Sequence, residues 1–109
     1  MAELKKFPTS EYHRLPPQAL DAEVSLLGGL LIDPEAIHKV VDLLKPEDFY
    51  KQAHQKIFRA ATRLFEKDEP TDVITLSNEL LRQEELDTAG GSSYLAELAA
   101  SVASSGQSQ

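Results

Sequence analysis

Histidines and carboxylates are the side chains of this sequence best suited to acid–base or metal chemistry. The chain has three histidines, His13, His38 and His54, and no two of them have the H-x-x-x-H or H-E-x-x-H spacing that places two ligands on one helix face. Glu35 lies three residues before His38, which predicts a solvated ion pair rather than a metal site. His54 adjoins an apolar stripe, and we predict a hydrogen-bonded residue at the core boundary rather than a general base.

Pairs of acidic residues could also act as general acids and bases, provided that burial shifts their pKa values. Their neighbours in this sequence are polar or stand at predicted helix ends, so we expect these carboxylates to lie on solvated faces. The pairs are Asp21 with Glu23, Glu47 with Asp48, and Glu84 with Glu85.

Motifs for nucleophiles and for phosphate binding are missing from the sequence. The chain has no cysteine, which excludes disulfides and thiolate sites, and its five glycines do not form the G-x-x-x-x-G-K-[ST] loop that binds nucleotide phosphates. No nucleophile-elbow motif occurs either. The sequence therefore predicts no catalytic, cofactor-binding or metal-binding residues, and it favours binding over catalysis.

Positive charge is concentrated in one helix-length segment of an otherwise acidic chain. The formal net charge is −7, and an acidic surface as a whole repels nucleic acid, yet residues 51–67 hold five basic residues and one acidic residue. Three interpretations stay open: a solvated face partly paired with acidic helices, docking on an acidic partner or second subunit, and a nucleic-acid contact. Four of the five basic residues line up on one face of the predicted helix, and we call them the basic stripe: Lys56, Arg59, Arg63 and Lys67.

The elements that must position these side chains are helices, because apolar residues recur at helical spacing along most of the chain. Apolar residues at positions 20, 24, 27 and 31 predict a first helix over 18–32. Gly28 and Gly29 interrupt this helix at a cost of about 1 kcal/mol each relative to alanine. We expect the close approach of a neighbouring helix, as in packing between subunits, to offset that cost.

Capping signals divide the rest of the chain into further helices. Asp33 followed by Pro34 predicts the start of a second helix, which buries residues 37, 40, 41 and 44. A single turn over 46–50 is expected to place Phe49 and Tyr50 on the core. A third helix is predicted to start near residue 51. A fourth helix follows a cap at Thr71 or Asp72, and we expect its Leu81 to face the core. A fifth helix follows a cap at Ser92 or Ser93.

These signals predict an all-α fold, a compact bundle of about five to six short helices. Residues 16–103 form the helical head domain, residues 1–15 a flexible N-terminal arm, and residues 104–109 a polar tail. The sequence has no apolar segment of signal-peptide length at its start and no apolar run long enough to span a membrane. We therefore expect a cytoplasmic protein with no membrane partner.

The order and spacing of several short motifs resemble the N-terminal domain of DnaB-type replicative DNA helicases. The resemblance covers roughly residues 16–103, and no single motif carries it alone. Its elements are Pro16-Pro17 leading to Ala22-Glu23, then Leu27-Gly28-Gly29, Leu31-Ile32-Asp33, Leu44-Lys45-Pro46-Glu47-Asp48-Phe49-Tyr50, Ala53-His54-Gln55-Lys56-Ile57-Phe58, Gly90-Gly91 and Tyr94-Leu95.

The resemblance implies a compact head at the N-terminal tier of a hexameric helicase ring in a bacterial or phage replisome. Such a head helps the ring to assemble, docks primase, and in some systems contacts a helicase loader. The family's motor domain, which uses ATP and Mg, is absent from this sequence. The chain by itself is thus expected to be neither an ATPase nor a helicase, to need no cofactor, and to bind little or no DNA directly.

The resemblance weakens at the C-terminal end of the sequence. In the family, the head leads into a two-helix hairpin that carries much of the contact between subunits. Residues 106–109, Gly-Gln-Ser-Gln, do not resemble that continuation, and we interpret them as a foreign or variant tail on a truncated chain.

The alternative interpretation of the whole sequence is a free-standing regulatory or nucleic-acid-binding helical domain that uses its basic helix.

A docking patch for the partner is predicted where an aromatic residue stands near a helix start. Tyr94 offers contact area together with a polar hydroxyl, and Asp21 and Glu23 are polar positions expected beside it. On this basis we predict that Asp21, Glu23 and Tyr94 bind the partner protein. The other interpretation is that Tyr94 covers the core.

Overall fold

The computed structural model describes the backbone of residues 19–107 and the side chains of residues 19–103. This part of the chain contains five α-helices and no strand, which confirms the predicted all-α fold. The predicted arm at 1–15 lies outside the described residues. The helices are α1 (Leu20–Ile32), α2 (Ile37–Val40), α3 (Gln52–Glu66), α4 (Val73–Arg82) and α5 (Gly91–Gln107), with 3₁₀ turns at Pro34–Ala36 and Pro46–Asp48.

Short aspartate side chains start two of these elements, as the sequence predicts. Asp33 precedes the first 3₁₀ turn and accepts a hydrogen bond from the backbone N–H of Glu35 at 3.2 Å. Asp72 precedes α4 and accepts from the N–H of Thr75 at 2.8 Å. Each carboxylate satisfies a backbone donor that has no partner within its own helix. Of the two residues that could cap α4, the one that does so is Asp72.

The close approach expected at the glycine pair is found at Gly28, where α1 packs on α5. A Cβ atom at Gly28 would overlap the backbone carbonyl of Leu98 and the side chain of Val102. A Cβ at Gly29 would meet no atom of the described residues within 4 Å. The helix that approaches Gly28 therefore belongs to the same chain, and Gly29 faces open space.

The core lies between α1, α3, α4 and α5, with the single turn before α3 closing one side. Phe49 is buried and its ring centroid lies 5.1 Å from that of Phe58. A buried hydroxyl also ties the start of α4 to the end of α1, because Thr71 Oγ1 donates to the carbonyl oxygen of Leu30 at 2.8 Å. The fully buried large side chains include Leu27, Ile57, Phe58, Leu64, Leu76, Leu80, Leu95 and Leu98.

Two residues that the sequence placed inside are exposed. Tyr50 is 63% exposed and Leu81 is 61% exposed, so the predictions that both face the core are wrong. Tyr50 follows Phe49 in extended backbone, where successive side chains point to opposite sides. Leu81 follows the buried Leu80 by 100° around α4, which carries it out of the apolar face.

The boundaries of α2 and α5 differ from the predicted ones. The helix α2 is a single turn, and Val40, Val41 and Leu44 are only half-buried. The helix α5 begins at Gly91, before both of the serines predicted to cap it, and its backbone stays helical to Gln107. No helix within residues 19–107 is both long enough and apolar enough to cross a membrane.

Candidate functional site

A buried carboxylate connects the N-terminal ends of α1 and α3. Glu23 lies in the first turn of α1 and is 0% exposed. Its Oε2 accepts a hydrogen bond from the backbone N–H of Tyr50 at 2.6 Å, and its Oε1 accepts from that of Lys51 at 3.5 Å. No side chain of the preceding residue caps α3, so this carboxylate from another helix supplies the cap and the negative charge that a helix N-terminus favours.

The same carboxylate binds a buried histidine on α3. Nδ1 of His54 lies 2.7 Å from Glu23 Oε1, and Nε2 of His54 lies 2.6 Å from the Tyr94 hydroxyl. Since a carboxylate can only accept, we assign the proton to Nδ1, and Nε2 then accepts the hydrogen bond that the Tyr94 hydroxyl donates. We name these three residues the polar network, and it joins α1, α3 and α5.

Burial lowers the pKa of His54 below its ordinary 6.5. The hydrogen bond and the negative charge of Glu23 oppose this shift, and the nearby charge of Lys51 adds to it. The imidazole is therefore neutral at pH 7, as the tautomer assignment requires. The prediction that His54 is hydrogen-bonded is confirmed, although the residue is fully buried and does not lie at the core boundary.

Tyr94 is held at the start of α5 by close contacts. Gly90 has φ of 105°, and a Cβ on that residue would lie 2.8 Å from the Tyr94 side chain, so glycine allows the ring to fold back over the turn. The ammonium group of Lys51 lies over the Tyr94 ring, 4.9 Å from the ring centroid. Tyr94 is half-buried, packs against the core and uses its hydroxyl inside the protein, as the interpretation that Tyr94 covers the core expects.

The three residues predicted to bind a partner protein therefore differ in what they can offer. Asp21 is exposed in the first turn of α1, and Tyr94 is half-buried. Glu23 is completely buried and its carboxylate is occupied by Tyr50, Lys51 and His54, so the prediction that it lies on a solvated docking face is wrong. It can affect a partner only by positioning other groups.

A second buried carboxylate gathers much of the basic stripe. Glu79 on α4 is 0% exposed, and it accepts hydrogen bonds from Arg63 Nε at 2.7 Å and Lys67 Nζ at 3.0 Å. Arg82 of the same helix also binds it, through Nη2. Lys56 instead lies 3.4 Å from Glu85. These ion pairs agree with the first interpretation of the basic stripe, a solvated face that is partly paired with acidic helices.

The cations around Glu79 keep it charged despite its burial. Burial alone raises the pKa of this carboxyl, but the hydrogen bonds from Lys67, Arg63 and Arg82 outweigh it and lower the pKa from 4.5 to about 2. Arg63 also lies 3.6 Å from Glu85 through Nη2, so Glu79 and Glu85 together pair with Lys56, Arg63, Lys67 and Arg82. Arg59, the remaining member of the basic stripe, is exposed on α3.

Neither carboxylate cluster has the form of a catalytic or metal centre. The acceptor oxygens of Glu23 and Glu79 are occupied by donors from the protein itself. No group of three or more potential metal ligands occurs among the described residues. His38 forms the predicted exposed ion pair with Glu35, at 3.5 Å.

Glu79 was not singled out from the sequence as the partner of the basic stripe. One signal could have found it. Glu79 lies three residues after Leu76 and beside Leu80, at an angle around α4 that borders the apolar face, and the basic stripe needed an acidic partner. The polar network had no comparable local signal, because its three members are far apart in sequence.

Comparison with known proteins identifies the family. The model of the DnaB-like helicase N terminal domain matches residues 15–109. The replicative DNA helicase DnaB of Rhodothermus marinus is 50% identical over 91 residues, which are 84% of this chain and 10% of that protein. The replicative DNA helicase DnaB of Geobacillus stearothermophilus is 47% identical over 89 residues, 82% of this chain and 20% of that protein.

A solved structure supports the same assignment. The crystal structure of the N-terminal domain of DnaB helicase from Mycobacterium tuberculosis superimposes with a TM-score of 0.74 at 43% identity, covering 79% of this chain and 60% of that chain. This chain spans between a tenth and a fifth of the length of the two curated relatives described above. The resemblance found in the sequence is confirmed, and the chain belongs to the DnaB-like helicase N-terminal domain family.

Proposed function

We propose that this chain acts as the N-terminal domain of a bacterial replicative DNA helicase, where it supports assembly of the hexameric ring and docks primase. The observation that carries the proposal is the family match over residues 15–109, together with relatives that are themselves named replicative helicases. ATP and Mg would be used by a motor domain, and this domain would contribute contacts without catalysing a reaction. Its place would be the replisome in the bacterial cytoplasm.

The docking surface for primase is proposed at the end of the bundle where α1 and α5 begin. Asp21 is exposed in the first turn of α1, and Tyr94, which is half-buried, stands in the first turn of α5. Glu23 and His54 act as positioning residues, because they fix the Tyr94 hydroxyl from inside the protein. A helicase loader would be a further partner of the same domain.

Packing between subunits is proposed on the open face of α1. Gly29 has room above it, and Ile32, one turn further along the helix, is 50% exposed. A helix can approach closely at a glycine, and an exposed isoleucine next to it offers apolar area to a neighbour. Gly28 is excluded from this role, because α5 of the same chain already covers it.

Light scattering coupled to size-exclusion chromatography tests the docking proposal. The chain is measured alone and mixed with the C-terminal helicase-binding domain of the cognate primase. We expect a co-eluting complex that Asp21→Lys weakens, whereas Asp42→Lys, an exposed charge reversal outside the proposed surface, leaves it intact. A folded chain that does not bind this primase domain would contradict the proposal that the domain docks primase by itself.

A further inference from the structure

One hydroxyl group attaches the first turn of α5 to the buried part of the polar network. The Tyr94 hydroxyl lies 2.6 Å from Nε2 of His54, and the two rings are nearly parallel, with 5.9 Å between their centroids. Within residues 19–103 this hydroxyl has no other hydrogen-bond partner. The attachment therefore depends on Nε2 acting as an acceptor, which requires that this nitrogen carries no proton.

The backbone just before Tyr94 can change its conformation without disturbing the core. Gly90 and Gly91 have φ of 105° and 82°, and glycine moves between this region and negative φ at little cost. The two serines that follow them are exposed. The next residue that packing fixes is Leu95, which is completely buried. The segment from Gly90 to Tyr94 can thus open while Leu95 keeps the rest of α5 in place.

Each element packed around the His54 ring contributes one charged or polar group that faces it. Glu23 of α1 binds Nδ1 at 2.7 Å, and Tyr94 of α5 binds Nε2. Lys51, which precedes α3, lies with its ammonium group 4.9 Å from the centroid of the Tyr94 ring. Burial lowers the pKa of His54, the positive charge of Lys51 adds to this shift, and Glu23 opposes it. The histidine therefore stands between an anion on one side and a cation on the other.

A proton on Nε2 of His54 acts on its two hydrogen bonds in opposite ways. It turns the contact with Glu23 into a charge-assisted hydrogen bond, which is stronger. It also replaces the acceptor at Nε2 by a donor, so the Tyr94 hydroxyl must turn its hydrogen to a side where the described residues offer no acceptor. The new positive charge repels the ammonium group of Lys51 beside the Tyr94 ring. Protonation therefore strengthens the attachment of His54 to α1 and weakens its attachment to α5.

We propose that His54 and Tyr94 form an acid-sensitive latch at the start of α5. The latch is closed while the imidazole is neutral. When the imidazole takes up a proton, the segment from Gly90 to Tyr94 leaves the core, while α1, α3 and the remainder of α5 stay packed. The lowered pKa of His54 keeps the latch closed at pH 7 and confines its opening to pH values below 6.5. The proposal goes beyond primase docking and ring assembly, and it does not depend on either.

Amide hydrogen exchange followed by NMR tests the latch in the whole chain. Exchange rates are measured at pH 7.5 and 5.0 and are divided by the intrinsic rates of an unstructured peptide at the same pH. Leu95 reports on the latch, because its helical acceptor is the carbonyl of residue 91, and Ile57 in α3 reports on the core. We expect the protection of Leu95 to fall by at least about fivefold more than that of Ile57 between the two pH values.

Three variants assign this change to the latch. Tyr94→Phe keeps the ring but lacks the hydroxyl, so Leu95 should already exchange faster at pH 7.5, and its additional response to acid should disappear. His54→Gln removes the titrating group and should also abolish that additional response. Tyr50→Phe is the matched control, because it removes a hydroxyl from a tyrosine that is 63% exposed, and it should behave as the original chain does. Circular dichroism at both pH values verifies that each variant is folded.

Three results would overturn the proposal. The first is an equal loss of protection at Leu95 and Ile57, which would mean that acid acts only through unfolding of the whole domain. The second is a Tyr94→Phe variant in which Leu95 responds to pH as it does in the original chain. The third is a loss of protection at Leu95 at a pH where the NMR signals of the His54 ring show that it is still neutral.

Discussion

Nδ1 of His54 lies 2.7 Å from Oε1 of Glu23, and the two residues are 31 positions apart in the chain and both fully buried. The pair sets the protonation of the whole polar network, because the carboxylate fixes the proton on Nδ1 and leaves Nε2 free to accept from Tyr94. It also explains how a buried glutamate is tolerated in the first turn of α1. Backbone donors at the start of α3 and the imidazole N–H replace the water that burial removes.

Replacing Glu23 with glutamine should destabilise the domain without changing its shape. Whichever way the amide of Glu23→Gln points, its NH2 group faces the backbone N–H of Tyr50 or that of Lys51, so one of these donors loses its acceptor, and in the second case His54 must also change tautomer. We expect the free energy of unfolding to fall by about 2 kcal/mol in urea denaturation. Glu35→Gln, at a position 87% exposed, should change it by less than about 0.5 kcal/mol. Equal effects of the two substitutions would show that the network does not stabilise the fold.

The lowered pKa of His54 predicts a loss of stability in mild acid. In the unfolded chain the imidazole takes up a proton near pH 6.5, whereas in the folded chain it resists protonation because it is buried. The unfolded state therefore binds more protons below pH 6.5, and stability falls as the pH drops from there to the folded-state pKa. Urea denaturation at pH 7.5 and 5.5 should show this decrease.

Two histidine variants assign that pH dependence. His38→Gln removes an imidazole that is 58% exposed and should leave the decrease in place. His54→Gln should remove most of the decrease, although it also lowers the stability at both pH values. An NMR titration in which the His54 ring protonates above pH 6.5 would contradict the expected direction.

Glu79 predicts a separate loss of stability in stronger acid. The pKa of Glu79 is lowered from 4.5 to about 2. Its contribution to the free energy of unfolding is therefore complete above pH 4.5 and is lost as the pH falls from 4.5 to about 2. We expect Glu79→Gln to reduce the free energy of unfolding by about 2 kcal/mol at pH 7, an amount limited by the solvent exposure of Lys67 and Arg82. The variant should also show a flatter stability profile between pH 4.5 and 2 than the original chain. An unchanged profile would mean that other carboxylates govern this range.

The two neighbouring glycines of α1 should respond in opposite ways to alanine. Gly28→Ala forces α1 away from Leu98 and Val102, and we expect a loss of about 2 kcal/mol. Gly29→Ala meets no described atom and improves helix propensity, so it should be neutral or stabilising by up to about 1 kcal/mol. Thermal unfolding of both variants provides the comparison. A Gly28→Ala variant as stable as the original chain would rule out the tight helix contact.

Direct binding of single-stranded DNA should be weak. Arg63 and Lys67 are engaged by Glu79, and Lys56 by Glu85, so Arg59 is left as the member of the basic stripe without an ion pair among the described residues. We expect a dissociation constant no tighter than about 10⁻⁴ M at physiological salt. Titration of a labelled oligonucleotide at two salt concentrations checks this. Tight binding with a steep salt dependence would support the nucleic-acid-binding alternative instead.

Features that depend on a few neighbouring residues could be predicted from the sequence. The cap at Asp33, the cap of α4 at Thr71 or Asp72, and the close approach of a helix to the pair Gly28-Gly29 were predicted, but not that the helix approaches Gly28 alone and belongs to the same chain. The exposure of Leu81 could not be predicted, because helical spacing defines an apolar face only within about one residue at its edge.

The sequence placed Glu23 near Tyr94, but the buried link between them through His54 could not be predicted. Glu23 looks like an ordinary acidic residue in a first helical turn, and nothing next to it indicates burial. Its partner His54 is 31 residues away, and Tyr94 is a further 40 residues along the chain. Only the packing of three helices brings these residues together, and charge patterns along the chain do not encode that packing.

The contact between α1 and α5 joins segments that are far apart in the chain, which matters when the protein folds during its synthesis. Gly28 needs Leu98 and Val102 to close over it, and Glu23 needs the tyrosine of the last helix to complete its network. As the nascent chain leaves the ribosome, α1 can pack against α3 first, but the side of α1 at Gly28 stays uncovered until α5 has emerged. A chain that stalls before α5 is made would leave the apolar side of α1 at Gly28 exposed to solvent, chaperones and proteases.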